Sequence, residues 1–175
     1  MTAKKNILII IRGVADSGKT TVAALLREKI ENSVKISIDS LVHMGLPNEW
    51  KIEDWKNSRS LAYEQAKLLV DYHLSKDNSV IVDEIFLKKK DVDMIACAAK
   101  DYPCDVYVVV MQIPVEDAIR RSKKRDLALK DEIRFAHNKT LRENSYSGEM
   151  VIDTSKNSPK ESVEKIVQMI QSKKC

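Results

Sequence analysis

The sequence is poor in the residues that mark most specialised protein classes. Its 175 residues include three cysteines, Cys97, Cys104 and Cys175. Their spacing fits no metal-ligand set and their number gives no even disulfide framework, so they read as reduced thiols of a cytoplasmic protein. Four glycines and four prolines are too few for a linker or a low-complexity tract, so residues 1–175 read as one domain. No apolar stretch approaches the roughly 18 residues of a membrane span. The longest, residues 7–11, is strand-sized. The opening Met-Thr-Ala-Lys-Lys-Asn leads into it without the apolar core and cleavage site of a signal peptide. Charge of one sign is also missing, since 30 Lys plus Arg against 26 Asp plus Glu leaves +4. That surplus suits an anionic small molecule and falls short of the basic, aromatic-interleaved track of a nucleic-acid protein. The three histidines and the cysteines form no cluster that would hold a transition metal.

What the chain does have is 43% hydrophobic residues in short runs, alternating with helical patterns. Strands are predicted at residues 7–11, 34–38, 79–83, 106–111 and 150–152. The first, third and fourth are continuous Ile/Val runs, as in strands buried on both faces of a parallel sheet. Residues 34–38 alternate (Val34, Ile36, Ile38), which suits an edge. Helices are predicted over 20–30, over 60–74 with a stripe of Leu61, Leu68, Leu69 and Tyr72, and over 91–100. A long charged helix over 115–144 is expected to be broken. The last helix is marked by Ser158 as N-cap, Pro159 in its first turn and Glu161 closing a capping box. The alternation of strand and helix gives an α/β fold class with a parallel sheet.

Residues 13–20, Gly13-Val14-Ala15-Asp16-Ser17-Gly18-Lys19-Thr20, match G-x-x-x-x-G-K-[ST] between a buried strand and an amphipathic helix. Glycines let the backbone curl so that successive N–H groups point at phosphate oxygens, and the helix N-terminus adds partial positive charge. Lys19 is then expected on the β- and γ-phosphates of a nucleoside triphosphate, with Thr20 on Mg2+. The run Val80-Ile81-Val82-Asp83-Glu84 ends a strand in two acids, of which Asp83 or Glu84 would serve the metal. A GTPase is disfavoured, because Asp83-Glu84-Ile85-Phe86 lacks the glycine of D-x-x-G. Asn138-Lys139-Thr140-Leu141 likewise lacks the aspartate of N-K-x-D.

Asp39 comes at the end of the second strand, which opens onto the same crevice. It is a candidate general base toward a hydroxyl, or else an N-cap for whatever follows Ser40. Arg121 and Arg125 are four apart on one helix face and could reach one phosphate chain, or could face water as charge runs usually do. Trp50 and Trp55, beside His43 and Met44, could stack an acceptor ring or fill core under a loop. Lys88-Lys89-Lys90 reads as water-facing, and His73 and His137 as structural or exposed.

In order along the chain, these residues resemble the small P-loop kinases of the nucleoside-monophosphate-kinase type, and within them the chloramphenicol phosphotransferases. The resemblance rests on the phosphate loop, on Ile38-Asp39-Ser40-Leu41 and on Val82-Asp83-Glu84-Ile85-Phe86-Leu87. It also rests on Asp153-Thr154-Ser155 before Lys160-Glu161-Ser162. It implies a three-layer fold with a five-stranded parallel sheet in order 2-3-1-4-5, an acceptor region at about 41–75 and a helical lid at about 115–145. It implies ATP and Mg2+, with Gly13 to Thr21 (Thr21 included), Arg121, Thr154 and Ser155 on the nucleotide and Thr20 and Asp83 on the metal. Lys19, Asp39, Arg121 and Arg125 would be catalytic. The expected partner is a small-molecule hydroxyl acceptor, with no membrane involved and nucleic acid not favoured. Between Leu41 and Ser60 the chain departs from that family in length and chemistry, so chloramphenicol itself is not implied. Two alternatives stand beside a small-molecule phosphotransferase: a nucleoside, nucleotide or polynucleotide 5′-kinase, and an ATP-binding regulatory module.

Overall fold

The continuous apolar runs become central strands. The computed structural model describes residues 5–49, 51–123 and 130–172. Its elements are β1 (Asn6–Gly13), α1 (Lys19–Lys29), β2 (Ser33–Ser37), α2 (Ile38–Met44), α3 (Ile52–Leu74), β3 (Ser79–Asp83), α4 (Lys89–Cys97), β4 (Cys104–Gln112), α5 (Val115–Ser122), α6 (Asp131–Glu143), β5 (Met150–Asp153) and α7 (Pro159–Ser172). The five strands form one sheet in order β2-β3-β1-β4-β5, and every pairing is parallel. The α/β fold and the strand order are those the sequence led us to expect, with β2 at an edge.

Successive residues of β1 point to opposite faces, and each face meets its own helices. Leu8 and Ile10 join Val80 and Val82 of β3 under α2, α3 and α4. Ile7, Ile9 and Ile11 join Val109 and Met111 of β4 under α1 and α7. Each fully buried Ile or Leu contributes about 1.5–3 kcal/mol relative to exposure, so two such layers leave the sheet rigid at its centre. A third, smaller cluster of Val14, Val110, Ile113, Ala118 and Leu141 seats α5 and α6. Helix α7 begins as its capping box requires: the Ser158 N–H donates to Glu161 Oε2 (2.7 Å), and the Glu161 N–H donates to Ser158 Oγ (3.3 Å). Among the described residues, no helix is long and apolar enough to cross a membrane.

Two expectations are corrected. The second strand stops at Ser37, and Ile38 starts α2 as a buried residue, so Asp39 sits in a helix's first turn. Helix α3 starts earlier, at Ile52, and buries a different face. Leu61, Leu68 and Tyr72 are exposed, while Ala62, Ala66, Val70 and Leu74, spaced four apart, meet the sheet. Two alanines let the helix approach closely, and that closeness outweighs the larger leucines outside. Leu69 alone of the expected stripe packs partly against the core.

Candidate functional site

The chemistry-bearing residues gather where the parallel strands end. Gly13, the last residue of β1, has φ 153°, and a Cβ there would lie 2.6 Å from the Met111 carbonyl oxygen and 2.8 Å from Ser17 Oγ. Only glycine fits that turn. Val14 drops into the cluster beneath α5 and α6, and Ala15 is half-buried. Asp16 at φ 62° and Gly18 at φ 90° bend the loop back into α1. The first turn of α1 holds no acidic residue and its N-cap makes no side-chain bond, so its N-terminus is left for an anion. Thr21 is exposed beside it.

Lys19 folds over this loop, its Nζ donating to the Val14 carbonyl at 2.8 Å. Burial pushes the Lys19 ammonium below its ordinary range, and the charges of Glu84, Asp83, Asp16 and Asp39 oppose that shift. These four carboxylates come from one loop, the end of β3 and the first turn of α2, so the topology and not the sequence spacing assembles them. Thr20 Oγ1 donates to Asp83 Oδ2 at 2.8 Å. Asp83 Oδ1 is buried without a hydrogen-bond partner, with the Lys35 ammonium 3.9 Å away. Burial raises the Asp83 carboxyl above its usual range, against the Thr20 hydrogen bond and the Lys35 and Lys19 charges.

An unsatisfied buried carboxylate oxygen beside a hydroxyl is a hard-oxygen donor set that fits Mg2+. Among the described residues, no group of three or more His, Cys, Asp or Glu could hold a metal alone. Glu84, the other acid of the pair, turns away to Arg59 at 3.2 Å.

Asp39 stands with its carboxylate 76% exposed and Oδ2 3.8 Å from His43 Nε2, and its charge acts on Lys19, Asp83 and Glu84. Across the loop, Arg121 of α5 donates from Nη2 to the Thr154 carbonyl (2.6 Å) and from Nη1 to Thr154 Oγ1 (3.4 Å). Its Nη1 also donates to the Asp16 carbonyl at 3.3 Å. A cleft of about 310 Å³ opens there, lined by Gly18, Thr21, Arg121, Thr154, Asn157 and Pro159 among others. Ser155 is exposed, bonded to Asp153 Oδ1 at 2.6 Å, and does not line the cleft. Arg125 and Trp50 lie outside the described residues.

Four residues took on weight only in three dimensions. Arg59 pairs with buried Glu84, donates to the Tyr63 hydroxyl at 3.2 Å and lies over the Trp55 and Tyr63 rings at 5.1 and 5.6 Å. Cation–π stacking with both rings holds its guanidinium in place. The spacing Trp55, Arg59, Tyr63 on one helix was the available signal. The His137 imidazole of α6 is pushed below its ordinary range by burial first and then by the Arg59 and Lys19 charges. Arg134 of α6 pairs with Asp16. Arg12, fully buried, bonds to the Asn144 carbonyl (2.9 Å), the Leu87 carbonyl (3.4 Å) and Glu149 (3.4 Å). Neither of these last two arginines had a local signal.

A family model described as an AAA domain matches residues 8–146. No curated protein matches the sequence. Among solved structures, a sugar kinase from Janibacter sp. HTCC2649 is similar at TM-score 0.70 and 19% identity, over 96% of this chain and 95% of that one. The APS kinase CysC of Mycobacterium tuberculosis, solved with AMPPNP and APS, gives 0.66 and 18%, over 95% and 98%. A protein of the Pnkp1/Rnl/Hen1 RNA repair complex gives 0.69 and 20%, over 82% of this chain. The chain spans only 46% of that protein's length. These are likenesses of fold.

Proposed function

The chain belongs to the AAA-domain family, and from that premise we propose that it is an ATP-dependent phosphotransferase moving the γ-phosphoryl group to a hydroxyl of a small molecule. The observation that carries this reading is the convergence of Asp39, Asp83 and Glu84 around Lys19, with Arg121 laid across the same loop. A loop built only to hold or slowly hydrolyse a nucleotide has no need of a solvent-facing carboxylate such as Asp39 at the acceptor side.

The loop N–H groups and Lys19 hold the β- and γ-phosphates, and Arg121 covers them from α5. Thr20 and Asp83 would hold Mg2+, which would offset charge along the phosphate chain. Asp39 accepts the acceptor hydroxyl's proton as its oxygen attacks the γ-phosphorus. The bond from that phosphorus to the β,γ-bridging oxygen breaks, and ADP leaves. Arg59, fixed by Glu84 and two aromatic rings, bounds the acceptor side, where an acceptor in the family of chloramphenicol-like antibiotics or sugars would sit. The fold's likeness to a sugar kinase and an APS kinase, each acting on a small molecule by name, supports this class. The likeness to an RNA-repair protein favours a second reading, a kinase of polynucleotide 5′ ends.

The test is Mg-ATP consumption against a panel of hydroxyl acceptors, beside Lys19→Met and Asp39→Asn. The panel includes antibiotics, sugars, nucleosides and 5′-hydroxyl oligonucleotides. The expected result is a stimulated acceptor whose turnover is lost in both variants, while Asp39→Asn still binds nucleotide. Near-normal turnover in Asp39→Asn removes it as the base. Stimulation by oligonucleotides alone, weakening steeply with salt, selects the second reading.

A further inference from the structure

An acidic side chain inside an anion-binding loop is electrostatically misplaced, and this loop has one. Asp16 lies two residues before Gly18, at φ 62°, and its backbone carbonyl already receives Arg121. An unscreened carboxylate there would repel a polyphosphate across a short distance in a partly dry site. The opposing charge comes from α6. The Arg134 guanidinium is 97% buried (3% exposed) and donates from Nη1 to Asp16 Oδ2, whose side chain is 2% exposed. Arg134 Nε and Nη2 are buried with no hydrogen-bond partner, so the guanidinium is anchored at its Asp16 end. Burying two unpaired donors is costly. The arrangement is therefore not one that packing alone would select.

We propose that Arg134 is a positioning residue for the nucleotide, neutralising Asp16 and tying lid helix α6 to the phosphate loop. This rests on the nucleotide site proposed above. Arg134 acts through Asp16, whose carboxylate charge it offsets beside Lys19 and Arg121. Removing either member of the pair changes the charge that the phosphates meet. The two single substitutions therefore shift nucleotide binding in opposite directions, which a purely structural pair would not produce, and the double variant separates this coupling from a direct phosphate contact.

The experiment is calorimetric titration of ADP with Mg2+ into the full chain, for wild type, Arg134→Gln, Asp16→Asn and the double variant, with thermal melts as a folding control. Arg134→Gln is expected to weaken binding roughly 10- to 100-fold. Asp16→Asn is expected to tighten it about 3- to 10-fold, since the loop then carries one negative charge fewer. The double variant is expected to return to within about fivefold of wild type. Weakening in both single variants would mark a scaffold pair and overturn the proposal. So would a double variant as weak as Arg134→Gln, which would make Arg134 a direct phosphate ligand. If Arg134→Gln does not fold, the sign of Asp16→Asn decides alone. Wild-type protein that binds no adenine nucleotide overturns the functional reading and this inference with it, an outcome distinct from wild-type binding with the wrong signs.

Discussion

Replacing Arg12 with methionine should unlatch the molecule at a fully buried side chain. The side chain is 0% exposed and spans three partners: the carbonyls of Asn144 and Leu87, and Glu149. Arg12→Met leaves a carboxylate that is 10% exposed without its counter-charge. Breaking a buried pair from one side costs about 3–5 kcal/mol. Glu149 keeps some contact with water, so we place the loss near the lower end, about 3 kcal/mol. At roughly 2–4 °C per kcal/mol for a chain this long, the midpoint should fall by about 6–12 °C. The double variant Arg12→Met/Glu149→Met should recover at least about 1 kcal/mol of that, because no buried charge remains. It should stop about 1–2 kcal/mol short of wild type, since the two carbonyls stay unpaired. Urea unfolding followed by circular dichroism, with linear extrapolation, measures all three. A loss under about 1 kcal/mol in Arg12→Met, or a double variant no more stable than the single, would refute the buried-pair account.

Gly13→Ala should destabilise by about 1–3 kcal/mol and abolish ADP binding, because its Cβ would press on a backbone oxygen at 2.6 Å. Gly148→Ala, at φ 76° with open space around it, should cost only the left-handed backbone penalty of about 1–2 kcal/mol; paired melts and titrations compare them. On α3, Leu68→Gln (68% exposed) should shift stability by less than about 0.5 kcal/mol, whereas Val70→Ala should cost about 2 kcal/mol; the reverse order in urea unfolding would show the wrong face assigned. His137 is held below the ordinary histidine range by burial, Arg59 and Lys19. As pH falls below about 6.5 the unfolded chain therefore takes its proton first and stability drops, more so than in His137→Gln. An NMR titration of the ring should show its pKa rising in Arg59→Gln.

Features written in local spacing could be read from the sequence, and features made by long-range contact could not. The run of residues 7–11, the loop from Gly13 to Thr20 and the Ser158–Glu161 box each carry their signal within a few residues, and the fold shows those elements in place. The strand order came from resemblance to a family, because periodicity says which residues are strands and not how they neighbour. The face of α3 was misread because Leu61, Leu68 and Tyr72 make the larger stripe, whereas distance to the sheet is set by the small Ala62 and Ala66. Arg134 and Asp16 are 118 residues apart, and Arg12 and Glu149 are 137 apart. Each looked like one more charge in a chain with 32% charged residues. Arg59 lay between, since its helical spacing to Trp55 and Tyr63 was visible but its partner Glu84 was not.

The placement of strand lengths across the sheet bears on how copies of this protein behave together in concentrated solution. The eight- and nine-residue strands β1 and β4 have neighbours on both sides, while the outermost strands, β2 and β5, have five and four residues. An outer strand exposes unpaired N–H and C=O groups on which another chain can build. Here a would-be growing sheet finds only four or five residues to pair with, and at β2 it meets the charge of Lys35 midway along. The apolar segments best able to form fibrils are thus sealed in the interior, and their release requires the whole domain to open.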